Sequence, residues 1–512
     1  MKLSTGTFSI PDLVQMLEGG EISIPVLQRD YVWSEEQVRD LAESIYRNYP
    51  IGVIILFRIP KDYKTNEKEE YWIIDGQQRL ISLFLIMKGQ ITLKPGKQKT
   101  LFIWFDSNNE SFELRAPRGD VDKYWIKLPD LFSIRNKEQV YEWLYKNEIP
   151  QNLHPKILIL WDQFKKGDYK IPVYVLPDEL DIDDIANIFV RVNFAGTKVK
   201  GTDIYSTMIA VIKSDLIEEL KDFSEQLPIE IDYGILVRTF LAFLTDGVVK
   251  LESKVLNQAE RLKEILNKKK DELLYIKEDV KRYTEQVLEL LRENGFEKIP
   301  TENIIPIMSY YLYKRGRLID SDEKVGLIKW FILATFFQRY STSTETRMNE
   351  DLKIVREKGN YKDLIKKIEE KEGNIIDRIK RYLEEGKDGE TRYKLLLFAL
   401  LKFSKAKDLL TKESIKYPYA TIQHIFPKKH LINLNKDKII NDIGNLTLLN
   451  YNSNSILSAK LPEEYLSKCE VELLKAHYIP LEKNLWRLDN VEEFVKKRKE
   501  MIMKAVEDNF TI

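Results

Sequence analysis

Two of the four histidines in this 512-residue chain, His424 and His430, lie in one short stretch near the C-terminus, TIQHIFPKKH. A second stretch that is rich in asparagine, NDIGNLTLLNYNSNSILSAK, follows it. A neutral histidine can take a proton from water, and a divalent metal ion held by oxygen ligands can stabilise charge on a phosphoryl group. Asparagine suits such a site, because its carbonyl oxygen can bind Mg²⁺ and its amide can hold a loop or orient the base. The cluster therefore predicts phosphodiester hydrolysis.

Two short strands and a helix are expected to position these side chains. The runs YATIQHIF and GNLTLLN predict strands, and a helix is predicted to start near NSILSAKLPEEYLSKCEVELLKAHY. This order places His424 on one strand, Asn445 on the next and Asn454 on the helix. Each residue alone also has an ordinary structural explanation, since a histidine on an apolar run is often a core residue and NSN often forms a loop or a helix cap. The shared order of all three favours the chemical interpretation.

A second constellation lies near the N-terminus, in YWIIDGQQRLISLFLIM. An apolar strand there turns through glycine into an apolar helix, so free N–H groups at the helix start and Arg79 in its first turn could hold a phosphate. The alternative is a tight turn in which Asp75 caps the helix and pairs with Arg79, and this motif alone favours that alternative. Two further stretches, IPVLQRDYVW and IFVRVNFAGTKVKGTDI, add polar and cationic groups that a core would not need.

Composition limits the class of protein. The 81 Lys and Arg residues balance 81 Asp and Glu residues, so a nucleic-acid site would have to be a local basic patch. The N-terminal stretch MKLSTGTFSIPDLV has no signal-peptide pattern, and LISLFLIM is too short to span a bilayer. A single cysteine, Cys469, excludes an internal disulfide and a structural zinc site built on several cysteines. We expect a cytoplasmic protein that does not act at a membrane.

The chain is long enough for several domains, and its patterns change twice. Residues 1–205 mix short apolar runs of strand length, GVIILFRI, YWIID, LFIWF and IPVYVL, with helices. One of these helices is predicted to begin with a capping box formed by Ser34 and Gln37. Its buried face is predicted to consist of Val38, Leu41, Ala42, Ile45, Tyr46 and Tyr49. Residues 206–410 show long helical periods rich in Glu, Lys and Leu, and residues 411–512 return to short strands and helices.

The N-terminal stretches IPVLQRDYVW, IIDGQQRLISLF and IFVRVNFAGT, in this order, resemble the N-terminal domain of the GmrSD family of modification-dependent, type IV restriction enzymes. The resemblance implies an α/β domain similar to the ParB/sulfiredoxin fold that binds and hydrolyses a nucleoside triphosphate, GTP, ATP or another, and that can face DNA. It carries the nucleotide-binding role to Gln28, Arg29, Asp75, Gly76, Gln77, Gln78, Arg79, Arg191 and Asn193.

The stretch IQHIFP…IGNLTLLNYNSNSILSAK resembles the HNH, or ββα-metal, nuclease module at the C-terminus of the same family. By position, the resemblance makes His424 the general base, Asn445 the middle asparagine of the trio, Asn454 the metal ligand on the helix, and Lys460 a cation near the scissile phosphate. Gln423 stands where the family commonly has a carboxylate metal ligand. His430 and His477 match no catalytic position and are expected to be structural or to lie at the surface.

These patterns predict an α+β multidomain protein with a ParB/sulfiredoxin-like domain (1–205), a helical connector (206–410) and an HNH domain (411–512). The expected activity is Mg²⁺- or Mn²⁺-dependent cleavage of modified double-stranded DNA in antiviral defence, gated by nucleotide; a homodimer is left open. Because Gln423 lacks the charge of a carboxylate, metal affinity should fall unless another carboxylate such as Asp442 compensates. One alternative is therefore a nucleotide-switched DNA-binding regulator with a weakened nuclease site, and a second alternative keeps the nuclease but cleaves RNA as a toxin.

Overall fold

The computed structural model of the chain describes residues 4–24, 31–60, 67–94, 97–115, 124–180, 188, 192, 205–206, 209, 214–250, 255–316, 320–385 and 390–511. The chain divides into two compact units, Met1–Glu218 and Glu219–Ile512. The finer division into three domains stays a prediction. None of the described helices is long and apolar enough to cross a membrane.

The first unit contains a mixed five-stranded sheet with the strand order β1-β10-β3-β4-β2. Strand β10 pairs antiparallel with β1 and parallel with β3, while β4 pairs antiparallel with β3 and parallel with β2. A β5–β6 hairpin and a three-stranded β8-β7-β9 sheet are the other strands that the structure describes in this unit. The strands are β1 Ser4–Ser9, β2 Ile22–Ser23, β3 Ile54–Arg58, β4 Tyr71–Asp75, β5 Gln90–Lys94, β6 Lys97–Thr100, β7 Trp104–Asp106, β8 Ser111–Glu113, β9 Trp125–Lys127 and β10 Lys170–Leu176.

Helix α3 lies at the centre of this unit. It packs against α1, α2 and α4, and its residues from Leu80 to Met87 are all buried, as expected for a helix that is apolar on every side. Its N-cap residue Gly76 has φ +94°, a conformation that glycine adopts readily. The helices are α1 Ile10–Gly19, α2 Glu35–Tyr46, α3 Gln77–Lys88, α4 Leu128–Ser133, α5 Lys137–Lys146 and α6 His154–Trp161.

Helix α2 confirms the predicted capping box and most of the predicted face. The Ser34 hydroxyl accepts from the backbone N–H of Gln37, and the Gln37 side chain accepts from the backbone N–H of Ser34. The inclusion of Tyr49 in the buried face was wrong. The helix ends at Tyr46, so Tyr49 lies beyond the helical period and is 56% exposed.

From residue 214 to residue 403 the described chain is helical, in agreement with the long periods in the sequence. The helices are α7 Ser214–Gln226, α8 Tyr233–Leu244, α9 Val255–Lys268, α10 Leu273–Glu293, α11 Ile305–Arg315, α12 Ser321–Phe336, α13 Thr344–Lys358, α14 Tyr361–Glu372, α15 Ile375–Glu385 and α16 Glu390–Phe403. Arg339 and the fully buried Asp351 form two hydrogen bonds of 2.6 Å, and the Tyr340 hydroxyl donates to the same carboxylate at 2.5 Å. Every charge in this buried group is thus paired, as burial requires.

The remaining residues combine a two-stranded antiparallel ribbon, β11 and β12, with short helices around a separate apolar cluster that includes Phe426, Leu449, Trp486 and Phe494. The elements are β11 Thr421–His424, α17 Lys428–Asn433, α18 Asp437–Ile440, β12 Leu446–Leu449, α19 Tyr451–Leu457, α20 Pro462–Tyr465, α21 Val471–Ala476 and α22 Val491–Phe510. The chain is therefore an α+β protein.

Candidate functional site

The C-terminal candidate residues meet where the ribbon adjoins helix α19. Gln423 pairs with Thr447 across the ribbon, and His424, the last residue of β11, pairs with Leu446. Helix α19 begins two residues after β12 ends and carries Asn454. A strand, a second strand and a helix thus follow one another as the sequence predicts.

His424 is half-buried, and its ring has one hydrogen-bonding partner among the described residues. The ring Nε2 lies 3.1 Å from Oδ1 of Asn441, in the loop between α18 and β12. Nδ1 has no partner within the described ranges. An amide oxygen can only accept, so this contact is a hydrogen bond in the tautomer that carries the proton on Nε2 and leaves a lone pair on Nδ1. The side chain can therefore act as a proton acceptor through Nδ1.

Gln423 and Asn454 each use the amide nitrogen to bond the ribbon or the helix beside it. Nε2 of Gln423, which is 2% exposed, donates to the carbonyl oxygens of His424 at 2.9 Å and Leu457 at 3.5 Å. Nδ2 of Asn454 donates to Oγ1 of Thr421 at 2.8 Å and to the carbonyl oxygen of Ile422 at 3.2 Å. Backbone carbonyls can only accept, which fixes the orientation of both amides.

Both amide oxygens, Oε1 of Gln423 and Oδ1 of Asn454, have no hydrogen-bond donor among the described residues. Amide oxygens are among the ligands that a hard divalent cation accepts. Nowhere in the described ranges do three His, Cys, Asp or Glu side chains gather closely enough to hold a metal ion. The residues present fit Mg²⁺ or Mn²⁺ through neutral oxygens, which bind more weakly than carboxylates.

Asn445 is fully buried and links the loops on either side of the site. Its Oδ1 accepts from the backbone N–H of Phe426 at 2.8 Å, and its Nδ2 donates to the carbonyl oxygens of Phe426 at 3.2 Å and Ile440 at 3.1 Å. Its own carbonyl accepts from the backbone N–H of Ile425 at 2.8 Å. These bonds let Asn445 set the position of the residues after His424 and before Asn441.

Arg498 stabilises the segment that carries Asn445, although sequence reasoning gave it no role. Its fully buried guanidinium donates from Nη1 to the carbonyl oxygens of Ile443, Gly444 and Leu446 at 2.9, 3.1 and 2.7 Å. Burial lowers the pKa of Arg498 to about 9, so it stays charged at neutral pH. Arg498 fits the ending of the nuclease module that the C-terminal stretch resembles, but only the folded chain shows which carbonyls it bonds.

His477 is structural, as expected for a histidine that matches no catalytic position. It is fully buried, with Nδ1 at 2.8 Å from Oγ1 of Thr447 and Nε2 at 2.8 Å from the carbonyl oxygen of Lys407. Burial lowers its pKa to about 4, and the nearby charge of Arg498 acts in the same direction. His477 is therefore neutral at physiological pH.

Asp408 is a second positioning residue that sequence reasoning missed. Its carboxylate accepts from the backbone N–H of Asn450 at 2.8 Å and from the hydroxyl of Ser453 at 2.6 Å, and so holds the first turn of α19. Burial alone would raise the pKa of Asp408, but the hydrogen bonds from Ser453 and three backbone N–H groups keep it below its usual value. The carboxylate thus joins the turn at residues 408–411 to the start of the helix that carries Asn454.

Asp442 directly follows Asn441 in sequence, and Lys460 follows helix α19. Asp442 accepts from the backbone N–H of Gly444 at 2.8 Å and from Nζ of Lys499 at 3.1 Å, so both carboxylate oxygens are engaged. Lys460 is exposed three residues beyond α19, and no described residue pairs with its ammonium group. Asp442 therefore offers little compensation for the missing charge at Gln423, whereas Lys460 is available to an anion.

The N-terminal motif forms the predicted strand, glycine turn and helix. Nη2 of Arg79 lies 2.9 Å from Oδ2 of Asp75, and Nη1 donates to the carbonyl oxygen of Ile51 at 2.9 Å. A Cβ at Gly52 would lie 2.4 Å from Nη1 of Arg79. Asp75 pairs with Arg79 as the structural alternative predicted, but the N-cap position of α3 is occupied by Gly76 and not by Asp75. Arg79 has five N–H donors, and two of them form these hydrogen bonds.

Gln78 connects this motif to the stretch that contains Tyr31. Its Oε1 accepts from the backbone N–H groups of Val32 at 2.9 Å and Trp33 at 3.3 Å, and the Tyr31 hydroxyl lies 2.8 Å from Oγ of Ser82. Gln77 and Gln78 are both buried. The other predicted nucleotide-binding residues, Gln28, Arg29, Arg191 and Asn193, lie outside the described residues.

Comparison with known proteins agrees with the resemblance at both ends of the chain. Residues 10–210 match the model of the GmrSD restriction endonuclease N-terminal domain, and residues 372–505 match the model of the GmrSD restriction endonuclease C-terminal domain. A similar full-length protein is an uncharacterized protein of Methanocaldococcus jannaschii, 24% identical over 563 aligned positions that cover 94% of this chain and 92% of the relative. The two matches, in order and over more than half of the sequence, establish that this chain belongs to the GmrSD restriction endonuclease family.

Proposed function

We propose that the protein is a metal-dependent DNA endonuclease whose C-terminal site is a ββα-metal, or HNH, site with His424 as its general base. One observation carries this proposal. His424 and Gln423 are neighbours at the end of β11, Asn454 bonds β11 from α19, and neither Nδ1 of His424 nor the two amide oxygens has a hydrogen-bond partner among the described residues. Phosphodiester hydrolysis with a divalent ion needs at least a proton acceptor and oxygen ligands for the metal.

In this proposal each side chain has a separate task. Nδ1 of His424 takes the proton from the attacking water. Oxygens of Gln423 and Asn454 hold Mg²⁺ or Mn²⁺, which supplies charge stabilisation at the phosphoryl and leaving oxygens when bound. Lys460 contacts a phosphate of the bound DNA. Asn445 acts on the reaction through the loops that it holds, since its amide groups are used by backbone partners.

We also propose that the first unit is a ParB/sulfiredoxin-like domain that binds and hydrolyses a nucleoside triphosphate and thereby gates cleavage. In support, the N-cap residue of α3 is Gly76, Arg79 uses two of its five N–H donors on described partners, and Gln78 links α3 to residues 32 and 33, which follow Gln28 and Arg29 in sequence. A helix N-terminus and an arginine suit a phosphate group. The biological role would be defence against phage, with modified double-stranded DNA as the substrate.

A second candidate function is favoured by one observation, the lack of a carboxylate beside His424. Gln423 and Asn454 offer only neutral oxygens, and no cluster of three acidic, histidine or cysteine side chains occurs in the described chain. A protein with such weak metal ligands could serve as a nucleotide-switched DNA-binding regulator. Only the nuclease would cleave DNA, whereas the regulator would bind it without cleavage.

The deciding experiment is a substrate panel. Unmodified, methylated, glucosylated and phosphorothioated duplex DNAs, with an RNA in parallel, are incubated with Mg²⁺ or Mn²⁺, with and without each nucleoside triphosphate. The nuclease proposal predicts cleavage of at least one DNA that requires the metal. Binding of DNA without any cleavage would favour the regulator, and cleavage of RNA alone would point to a toxin.

A further inference from the structure

Asn441 makes the only hydrogen bond to the His424 ring that the described residues provide, at 3.1 Å from Oδ1 to Nε2. It is an exposed residue at the C-terminal end of α18 and stands 17 positions from His424 in sequence. No other function in the fold depends on its side chain, because neither amide atom of Asn441 bonds any other described residue. Among the described residues, the Asn441 side chain thus bonds His424 alone.

The two backbone segments that carry this pair are fixed to each other by Asn445. Its amide bonds both the N–H and the carbonyl of Phe426, two residues after His424, and also the carbonyl of Ile440, immediately before Asn441. Asn445 is fully buried, and the carbonyls on either side of it are held by Arg498. The backbone thus holds Asn441 and His424 within hydrogen-bonding distance, so their side chains lose little conformational freedom when they bond.

A histidine can act as a base through Nδ1 only when its proton is on Nε2. In a neutral imidazole free in water both tautomers occur, and the partner of one nitrogen decides which nitrogen keeps the proton. An amide oxygen accepts a hydrogen bond and cannot donate one, so Oδ1 of Asn441 stabilises the tautomer with hydrogen on Nε2. The same bond restricts rotation of the ring about its Cβ–Cγ axis.

We propose that Asn441 is a positioning residue that fixes the tautomer and orientation of the His424 ring and so presents the Nδ1 lone pair to the attacking water. Its consequence for catalysis rests on the proposed function of His424 as the base. The tautomer itself is a property of the free protein and can be measured whether or not DNA is cleaved.

The test uses the full-length chain labelled with ¹⁵N at histidine, without metal and at a pH at which imidazole is neutral. The chain has only four histidines, so the His424→Ala variant identifies the signals of His424 by their loss. The ¹⁵N chemical shifts distinguish the protonated ring nitrogen from the one with a lone pair. Spectra of the wild type are compared with those of three variants. Asn441→Leu removes the acceptor, and Asn441→Asp keeps an acceptor. Asn433→Leu is the control, a matched change of an exposed asparagine on α17.

We expect hydrogen on Nε2 in the wild type, Asn441→Asp and Asn433→Leu, and averaged nitrogen shifts in Asn441→Leu. Cleavage by Asn441→Leu should fall about 10- to 100-fold with little change in KM, the usual scale for losing a residue that orients a functional histidine. Hydrogen on Nδ1 in the wild type, or an unchanged tautomer in Asn441→Leu, would overturn the inference. Undiminished cleavage by His424→Ala would instead refute the proposed function and leave the tautomer result standing.

Discussion

Nδ2 of Asn454 donates to the carbonyl oxygen of Ile422 at 3.2 Å, so α19 is hydrogen-bonded to β11 one residue before Gln423. The carbonyl of Leu457, one turn further along α19, accepts from Nε2 of Gln423. The two amides therefore hold strand and helix together through their nitrogens while their oxygens have no donor among the described residues. A change at either amide should alter both the local stability and the response to metal.

Gln423→Glu should make the stability of the folded protein depend on the Mg²⁺ concentration. The new carboxylate replaces a donor and faces the carbonyls of His424 and Leu457, which should destabilise the metal-free protein by about 1–3 kcal/mol. Bound Mg²⁺ should restore this stability, and the metal concentration needed for cleavage should fall, because a charged oxygen replaces a neutral one. Thermal unfolding and cleavage rates, each titrated with Mg²⁺, measure the two effects.

The control for this change is Asn452→Asp, which adds the same charge on the exposed face of α19. It should change neither the metal requirement nor the response of the melting temperature to Mg²⁺. A higher metal requirement in Gln423→Glu than in the wild type would mean that Gln423 does not contact the metal.

Arg498→Met should lower the free energy of unfolding by about 3 kcal/mol or more, because the carbonyls of Ile443, Gly444 and Leu446 lose the buried guanidinium that donates to them. Arg487→Met, a change at an exposed arginine whose nearest carboxylate lies 3.9 Å away, should change it by less than about 0.5 kcal/mol. Denaturant unfolding of both variants measures the difference. Equal stabilities would show that the guanidinium does not hold the loop.

His477 should make stability depend on pH between about 7 and 4. Its pKa is about 4 in the folded protein, against an ordinary value of 6.5, so the unfolded chain binds more protons in this window and stability falls as the pH is lowered. The loss attributable to this residue is about 3 kcal/mol, since one pKa unit corresponds to about 1.4 kcal/mol.

The measurement is the free energy of unfolding of the wild type and His477→Gln at several pH values. The wild type should be more stable than His477→Gln at pH 7, and this difference in the free energy of unfolding should shrink by about 3 kcal/mol between pH 7 and pH 4. His430→Gln, on the short helix α17, should have the same stability as the wild type at every pH. A constant gap between the wild type and His477→Gln would contradict a buried neutral imidazole.

Local signals in the sequence predicted local structure well. The capping box of Ser34 and Gln37 formed as predicted, and YWIID became β4 with the predicted bounds, because neighbours in sequence decide both features. Tyr49 was misplaced, since periodicity alone does not show that α2 ends at Tyr46. The residues that hold the candidate site, Asn441, Asp408 and Arg498, escaped prediction for a different reason. Their partners lie 17 to 55 positions away in sequence, and only the folded chain brings them together.

Asp75→Ala and Arg79→Ala should each abolish nucleoside triphosphate hydrolysis and also change the rate of DNA cleavage. A ligand can control a separate reaction only if it binds two conformations unequally, and loss of the ligand removes that bias. The matched control is Arg47→Ala, which breaks the exposed pair between Arg47 and Glu43 on α2. Cleavage of a modified DNA is measured without nucleotide, with triphosphate and with a non-hydrolysable analogue. Identical cleavage by all variants under all three conditions would mean that the nucleotide does not gate the nuclease.

Cleavage of the preferred DNA by His424→Ala, with His430→Ala as the matched histidine control, tests the central claim most directly. His424→Ala should reduce the cleavage rate at least about 100-fold, the usual scale for losing a general base, while nucleotide hydrolysis and the melting temperature stay near the wild-type values. His430→Ala should cleave like the wild type. Undiminished cleavage by His424→Ala would contradict the claim that His424 is the base of the reaction.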